Sequence, residues 1–157
     1  MKIAHISTQP SWRGGEQQIF YLHEELISQD IDSMVLAKKN SAISQKLRAE
    51  NLPFKEMPFR SAYDLITAFQ IKLFVKKYKI DIIHAHTAKA HTLVILAMLL
   101  GVKAKIIVSR RVDVPIKNNW FSKYKYNHPL VLKIICVSNK IKEMTSLGMK
   151  DNSKLVT

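Results

Sequence analysis

The chain has 157 residues, a net charge of +13, and 47% hydrophobic against 24% charged side chains. That suffices to bury the core of one ordinary domain, and it excludes a disordered or low-complexity chain. The single cysteine, Cys136, leaves no disulfide framework within the chain and no Cys-x-x-Cys metal pair. Its apolar neighbours mark it as a small core residue, and a reducing, cytoplasmic setting fits.

The N-terminus turns polar within its first nine residues, unlike a secretory signal. The longest apolar run, residues 93–100, is far short of the roughly 20 residues that cross a bilayer. Charge is uneven: residues 79–157 hold 14 basic and 4 acidic side chains. Such a bias suits an anionic partner, whether nucleotide, phosphorylated substrate, anionic membrane or nucleic acid, and the plain alternative is a lysine-rich surface.

Residues 2–8 read as a short buried strand, bounded by Pro10 and Gly14. A helix follows from about Glu16 to Gln29, with Ile19, Leu22, His23 and Leu26 on one face. Strand, paired glycine and helix start together make an anion site, because the first N–H groups are unpaired and glycine admits a phosphate to the backbone. A second strand spans residues 33–37, and Ser41 caps a short helix to about Glu50. Residues 54–57, fenced by Pro53 and Pro58, read as an edge strand.

The spacing then predicts a helix from Ser61 to about Lys77, with Leu65, Ile66, Phe69, Leu73 and Phe74 as its buried stripe. A fourth strand covers residues 80–85, ending in His86 and Thr87. Residues 88–100 form a helix that is apolar nearly all round, stopped by Gly101. The fifth strand, residues 105–109, runs into Arg110 and Arg111. Residues 113–126 read as an irregular, basic and aromatic stretch. The sixth strand is placed at 133–138, a helix at 139–147 ending on Gly148, and a seventh strand begins at 154–157.

Regular alternation of strand and helix predicts an α/β fold with a doubly wound, Rossmann-like parallel sheet. Ligands of such sheets bind outside the carboxyl ends of the strands, where strand order reverses. The residues falling there are Gln9 to Glu16, with Arg13, Gly14 and Gly15 among them, then Lys38, then His86 to Lys89, with Thr87, then Arg110 to Asp113, with Arg111, then Ser138.

A dinucleotide dehydrogenase fits poorly, since G-x-G-x-x-G is missing and the second strand ends in Ala37-Lys38 rather than an acid. A P-loop is absent too. His84 and His86 share a strand face, but no carboxylate follows at a helpful spacing, so no metal site is expected. His86 at a strand end can bond a hydroxyl or act as acid or base. Arg110-Arg111 suits phosphate or carboxylate; alternatively one arginine is exposed and the other pairs with Asp113. Residues 118–127 fit a nucleic-acid platform, a membrane-interface segment, or a loop whose aromatics cover the core edge.

Four stretches in order carry a resemblance: "MKIAHISTQPSWRGGEQQ", "DIIHAHTAKA", "KIIVSRRVDVP", and "KIICVSNKIKEMTSLGM" with "KLVT". Together they resemble the N-terminal half of the retaining, nucleotide-sugar-dependent glycosyltransferases of family 4, which have the GT-B architecture. The resemblance implies two Rossmann-like domains facing across a cleft, with the acceptor held mainly by the N-terminal one. It implies a hexosyl transfer to a cell-envelope glycan, as in lipopolysaccharide or polysaccharide biosynthesis, or to a lipid-linked acceptor. Gly14 and Gly15 would approach the donor phosphates, and donor sugar and acceptor would meet near His86, Arg110 and Arg111. His86 is the catalytic candidate. The nucleotide sugar is a substrate, and no cofactor is implied.

Many members of the family carry a histidine at the end of the fifth strand, where this chain has Arg110. Either that role has changed or the register is offset by one. No donor-binding glutamate pair is present, so the expectation is an acceptor-side domain over residues 1–157, with the C-terminal donor domain absent and the chain inactive alone. Peripheral contact with an anionic membrane at its inner face is a further expectation, and nucleic acid an unlikely partner. Rival readings are a non-catalytic nucleotide- or nucleic-acid-binding module and an epimerase or phosphorylase domain of the same architecture.

Overall fold

A computed structural model describes all of residues 1–157. Its seven strands form one sheet, and every pairing is parallel. In chain order the elements are β1 (Lys2–Ser7), α1 (Gly14–Ser28), β2 (Asp32–Lys38), α2 (Ala42–Ala49), β3 (Phe54–Met57), α3 (Leu65–Tyr78) and β4 (Ile82–Ala85). Then come α4 (Ala88–Leu99), β5 (Lys105–Arg110), α5 (Trp120–Asn127), β6 (Val131–Cys136), α6 (Asn139–Ser146), a short 3-10 turn and β7 (Leu155–Val156).

The strand order is β3-β2-β1-β4-β5-β6-β7. The chain steps outward from β1 to β3, crosses back, and steps outward again from β4 to β7. The reversal therefore lies between β1 and β4, which pair in register from Ile3 with Ile82 to Ile6 with Ala85. The proline-fenced β3 is indeed an edge strand.

Side-chain alternation sorts the two faces. Val35 and Ala37 of β2 join Ile19 and Phe20 of α1 and Ile43 and Leu47 of α2 in a small core of 6 buried residues. Leu36, of opposite parity, joins Ala4, Ile6 and the apolar faces of α3, α4 and α6 in a core of 28. α4 lies in the larger core packed against β4, α3 and α5, which explains why it is apolar on nearly every side. Cys136 is buried in this core, as its neighbours foretold.

Several boundaries differ from the sequence reading. α3 starts at Leu65, not Ser61: the carboxylate of Asp64 accepts from the backbone of Ile66 and Thr67, both at 3.1 Å, and outcompetes a serine cap three residues earlier. Its buried face is Thr67, Ala68, Ile71, Phe74 and Val75, so of the expected stripe only Phe74 is inside. Residues 120–127 are helical rather than irregular, because Asn119 caps the start by accepting from Ser122 N–H at 2.7 Å. β6 begins two residues earlier than expected and stops before Ser138. Gly101 stops α4 with a φ of +102° that other residues rarely adopt. Gly148, just past the end of α6, is glycine for a different reason: a Cβ there would sit 2.8 Å from Cβ of Ile116.

Candidate functional site

A cleft of about 530 Å³ opens outside the carboxyl ends of β1, β4 and β5, at the reversal of strand order. Arg13, Gly15 and Glu16 border it from the first loop and helix, His86 and Thr87 from the end of β4, and Arg110 and Arg111 from the end of β5. Of the expected residues, Lys38, Asp113, Gly14 and Ser138 lie off it. Gly14 is exposed one position earlier in α1. Ser138 is occupied in capping α6, accepting from Ile141 N–H at 3.3 Å.

The start of α1 is uncapped. Arg13 occupies the N-cap position in extended backbone and gives no side-chain bond to the helix. Within the chain nothing accepts from the N–H groups of Gly14, Gly15 or Glu16; the first such bond is Gln17 N–H to Arg13 O at 3.0 Å. The start of α4 borders the same cleft. There Thr87 Oγ1 accepts from Ala90 N–H at 3.0 Å and shares a hydroxyl bond of 2.9 Å with Thr8, tying the loops after β1 and β4 together. Two helix dipoles thus present their positive ends to one cavity.

Arg110 and Arg111 diverge because successive strand residues point to opposite faces. Arg110 shares the parity of Ile106 and Val108 and is buried; its Nη1 donates to Tyr126 Oη at 2.8 Å and its Nη2 to the Val114 carbonyl. Arg111 turns to the other face. Its Nε donates to Gln18 Oε1 at 2.9 Å, its Nη1 to the His86 carbonyl at 3.1 Å and its Nη2 to His86 Nδ1 at 3.2 Å. Neither pairs with Asp113, which binds Lys140 at 2.6 Å. Arg111 is a fixed cation in the cleft wall, with Nη1 3.4 Å from where a Gly15 Cβ would lie.

A guanidinium only donates, so His86 Nδ1 must accept and His86 carries its proton on Nε2. That Nε2 lies 3.0 Å from His5 Nδ1, which therefore accepts in turn. His5 is left with a buried Nε2–H that has no partner. His84 Nε2 bonds Ser109 Oγ at 2.8 Å, and His23 Nδ1 bonds Ser33 Oγ at 2.7 Å. Burial pushes His86 well below the usual imidazole range, and the neighbouring His84, His5 and Arg111 push the same way. Burial also takes His84 down to about 3, helped by Arg111, and His23 down to about 4.

These facts revise the expectation of an acid–base histidine. His86 is buried, neutral, and spends both ring nitrogens inside the protein, so it holds Arg111 rather than meeting a ligand with its ring. His84 is buried and hydrogen-bonded. The nitrogens of His5, His84 and His86 all lie within 4.8 Å of one another, and neutral imidazoles are ligands for an ion such as Zn²⁺. Those nitrogens are largely engaged with each other, Ser109 and Arg111, however, and the His84 and His86 rings lie over one another with centroids 3.8 Å apart. His91, buried on α4, stands edge-on to Tyr126 at 4.8 Å.

The sequence reading missed His5, Gln18 and Tyr126. His5 was findable from parity, since it lies on the same face of β1 as Ser7, whose hydroxyl bonds Glu16 at 3.3 Å. Lys89, expected beyond the end of β4, does border the cleft, but its partners were not foreseen: its Nζ reaches the carbonyls of Phe59 and Arg60, at 2.6 and 3.2 Å, in a turn thirty residues away.

The same architecture recurs in solved structures. A glycosyltransferase from Rickettsia africae superposes with a TM-score of 0.74 at 22% identity, over 99% of this chain and 41% of that one. Anabaena Alr3699/HepE in complex with UDP-glucose gives 0.78 at 12% identity, over 99% and 43%. The lipopolysaccharide outer core galactosyltransferase WaaB gives 0.70 at 12%, over 100% and 45%. The chain thus spans less than half the length of each, and at these identities the likeness establishes the Rossmann-like fold. No curated protein matches by sequence. The sequence profile of Glycosyltransferase Family 4 nevertheless matches residues 12–154, nearly the whole chain, and the chain belongs to that family.

Proposed function

We propose that the chain forms the acceptor side of a retaining glycosyltransferase of hexosyltransferase type. The enzyme moves a sugar from a nucleotide sugar to a cell-envelope glycan or a lipid-linked acceptor. The observation that carries the reading is the set of unpaired N–H groups on Gly14, Gly15 and Glu16 beside the fixed guanidinium of Arg111. As the anomeric C–O bond breaks, its electron pair passes to the departing phosphate, and preorganised N–H donors with a cation stabilise that charge. The UDP-glucose bound to HepE supports a nucleotide-sugar donor, and the likeness to WaaB, a lipopolysaccharide outer core galactosyltransferase, supports an envelope glycan. Nucleotide base and sugar would be held by a donor domain facing this cleft.

The test is a titration of the labelled chain with inorganic pyrophosphate, followed by amide NMR. Saturable shifts of Gly14, Gly15 and Glu16 are expected, with none from a phosphate-free nucleoside. Shifts spread evenly over the lysine-rich surface, or none at these three, would overturn the reading. A Gly15→Leu variant, which fills the approach to those amides, should abolish the response.

A further inference from the structure

Two cations are buried on the α5 side of β5 with no acid to meet them. Arg110 is 6% exposed and Lys125 is 7% exposed. Neither enters an ion pair, and Asp113, three residues from Arg110, is held by Lys140. Both cations lie against Tyr126, at 5.3 and 5.2 Å from its ring centre. Burial takes Lys125 down to about 8, and Arg110 and Lys117 push the same way. Taking a charge out of water is costly unless a counter-charge repays it, and no carboxylate does so here.

The same cluster holds unspent donors. Three of the five buried side-chain nitrogens without a partner are here: Arg110 Nε and both ring nitrogens of His91. Burial holds His91 neutral, and Lys125 and Arg110 add to the effect. One of its nitrogens therefore carries a proton with no acceptor. Tyr126 Oη accepts from Arg110 Nη1 at 2.8 Å, and its own proton is likewise unspent. Lys125 Nζ makes only long contacts, 3.2 Å to Thr92 Oγ1 and 3.5 Å to the Ala88 carbonyl, for its three protons. All four side chains donate and none is an anion, a set complementary to an oxyanion brought from outside. Arg110, Tyr126 and Ala88 line the cleft, so the cluster is reached from it.

We propose that Arg110, Lys125 and Tyr126 bind a phosphate monoester carried by the acceptor. Two cations balance a phosphate dianion, whereas a carboxylate would leave one buried charge unmet. The free donors come singly from separate side chains. That suits the several oxygens of a tetrahedral group better than the flat pair of a carboxylate, which prefers the paired N–H groups of one guanidinium. Arg111 and the start of α1 lie on the other face of the sheet from Arg110. Two neighbouring arginines thus hold two anions apart, one on each side of the end of β5. The acceptor is a phosphorylated sugar, and its neutral counterpart binds poorly. The acceptor assignment rests on the function proposed above; the phosphate site itself does not.

The test titrates the chain with inorganic phosphate, glucose 6-phosphate and glucose, following the side-chain NMR signals of Arg110 Nε–H and Lys125. Saturable shifts are expected with phosphate, binding at least as tight with glucose 6-phosphate, and none with glucose. Lys125→Met keeps the stem and removes the charge. It should weaken phosphate binding about tenfold or more and, in phosphate-free buffer, raise the urea midpoint. Tyr126→Phe keeps the ring and loses the hydroxyl; it should weaken binding too, and it serves if Lys125→Met does not fold. Lys123→Met, exposed on the same helix, should change nothing. Pyrophosphate shifts at Gly14, Gly15 and Glu16 report separately on the start of α1, so either site can fail alone. The proposal is overturned if phosphate leaves the Arg110 and Lys125 signals unmoved, or if a folded Lys125→Met or Tyr126→Phe variant binds phosphate as tightly as the parent chain. Binding of inorganic phosphate without glucose 6-phosphate would overturn the acceptor assignment.

Discussion

Arg111 Nη2 donates to His86 Nδ1 across 3.2 Å, and that one bond fixes the protonation of two histidines. It makes His86 an Nε2–H tautomer and His5 an Nε2–H tautomer behind it. Nitrogen-15 NMR of labelled histidine should show both rings neutral, with a bare Nδ1, at neutral pH. In Arg111→Met the donor is gone, and the His86 signals should broaden or move as the second tautomer becomes populated. A wild-type His86 protonated on Nδ1 would contradict the hydrogen-bond chain.

Acid should unfold this protein early. His5, His84, His86 and His23 are held neutral in the native state, chiefly by burial. In the unfolded chain they bind protons below the ordinary imidazole value of about 6.5. The unfolded state therefore takes up more protons as pH falls, and stability present above about 6.5 is lost below it. By about pH 5 one fully neutral imidazole costs roughly 2 kcal/mol, and several together rival the whole stability of a domain. Urea midpoints at pH 7, 6 and 5 should drop steeply, and a flat series would show that these rings titrate normally.

Two glycines should respond oppositely to alanine. At Gly14 nothing lies within 4 Å of the added Cβ, and alanine in the first helical turn should cost nothing or add up to about 1 kcal/mol. At Gly148 the added atom would stand 2.8 Å from Ile116 Cβ, which is not a flexible end and must move. Gly148→Ala should cost about 1–3 kcal/mol. Combining it with Ile116→Ala should recover part of the loss, a coupling visible in a double-mutant cycle.

The cap on α5 can be tested directly. Asn119→Ala removes the bond to Ser122, and should cost about 1 kcal/mol in thermal unfolding. Because Tyr126 on the same helix receives Arg110, the amide and Nε–H signals of Arg110 should shift as well. Asn119→Asp should retain both.

Residues 1–157 alone are expected to show no sugar transfer with any nucleotide sugar, measured by release of nucleoside diphosphate. Turnover by this chain would mean that the donor site is complete within it.

The alternation of strand and helix was legible because its signals are local: apolar runs, prolines at β3, Ser41 and Gly101 at helix ends. The orientation of α3 was not. With apolar residues on both sides, periodicity cannot choose the inward face, and the small Thr67 and Ala68 won because they let α3 approach α4. In the cleft, the positions of Gly15, His86 and Arg111 followed from strand ends and topology. Their couplings did not, since His86–His5 and Arg111–Gln18 bonds span 81 and 93 residues. The sequence showed two adjacent arginines; only the parity of β5 reveals that one is turned toward Tyr126 and the other toward His86.

The reversal of strand order also imposes a timetable. β1 is made first, yet its inner neighbour β4 begins eighty residues later, at Ile82. At synthesis rates of about 5–20 residues per second, β1 waits roughly 4–16 s for that partner. During that interval β1, α1 and β2 can assemble locally while one edge of β1 stays open. The helix start at Gly14 thus exists well before the wall that makes it a cleft, so the nascent protein passes through a stage with a formed, uncapped helix end and an unprotected strand, the stage at which a chaperone or a mispairing strand would find it.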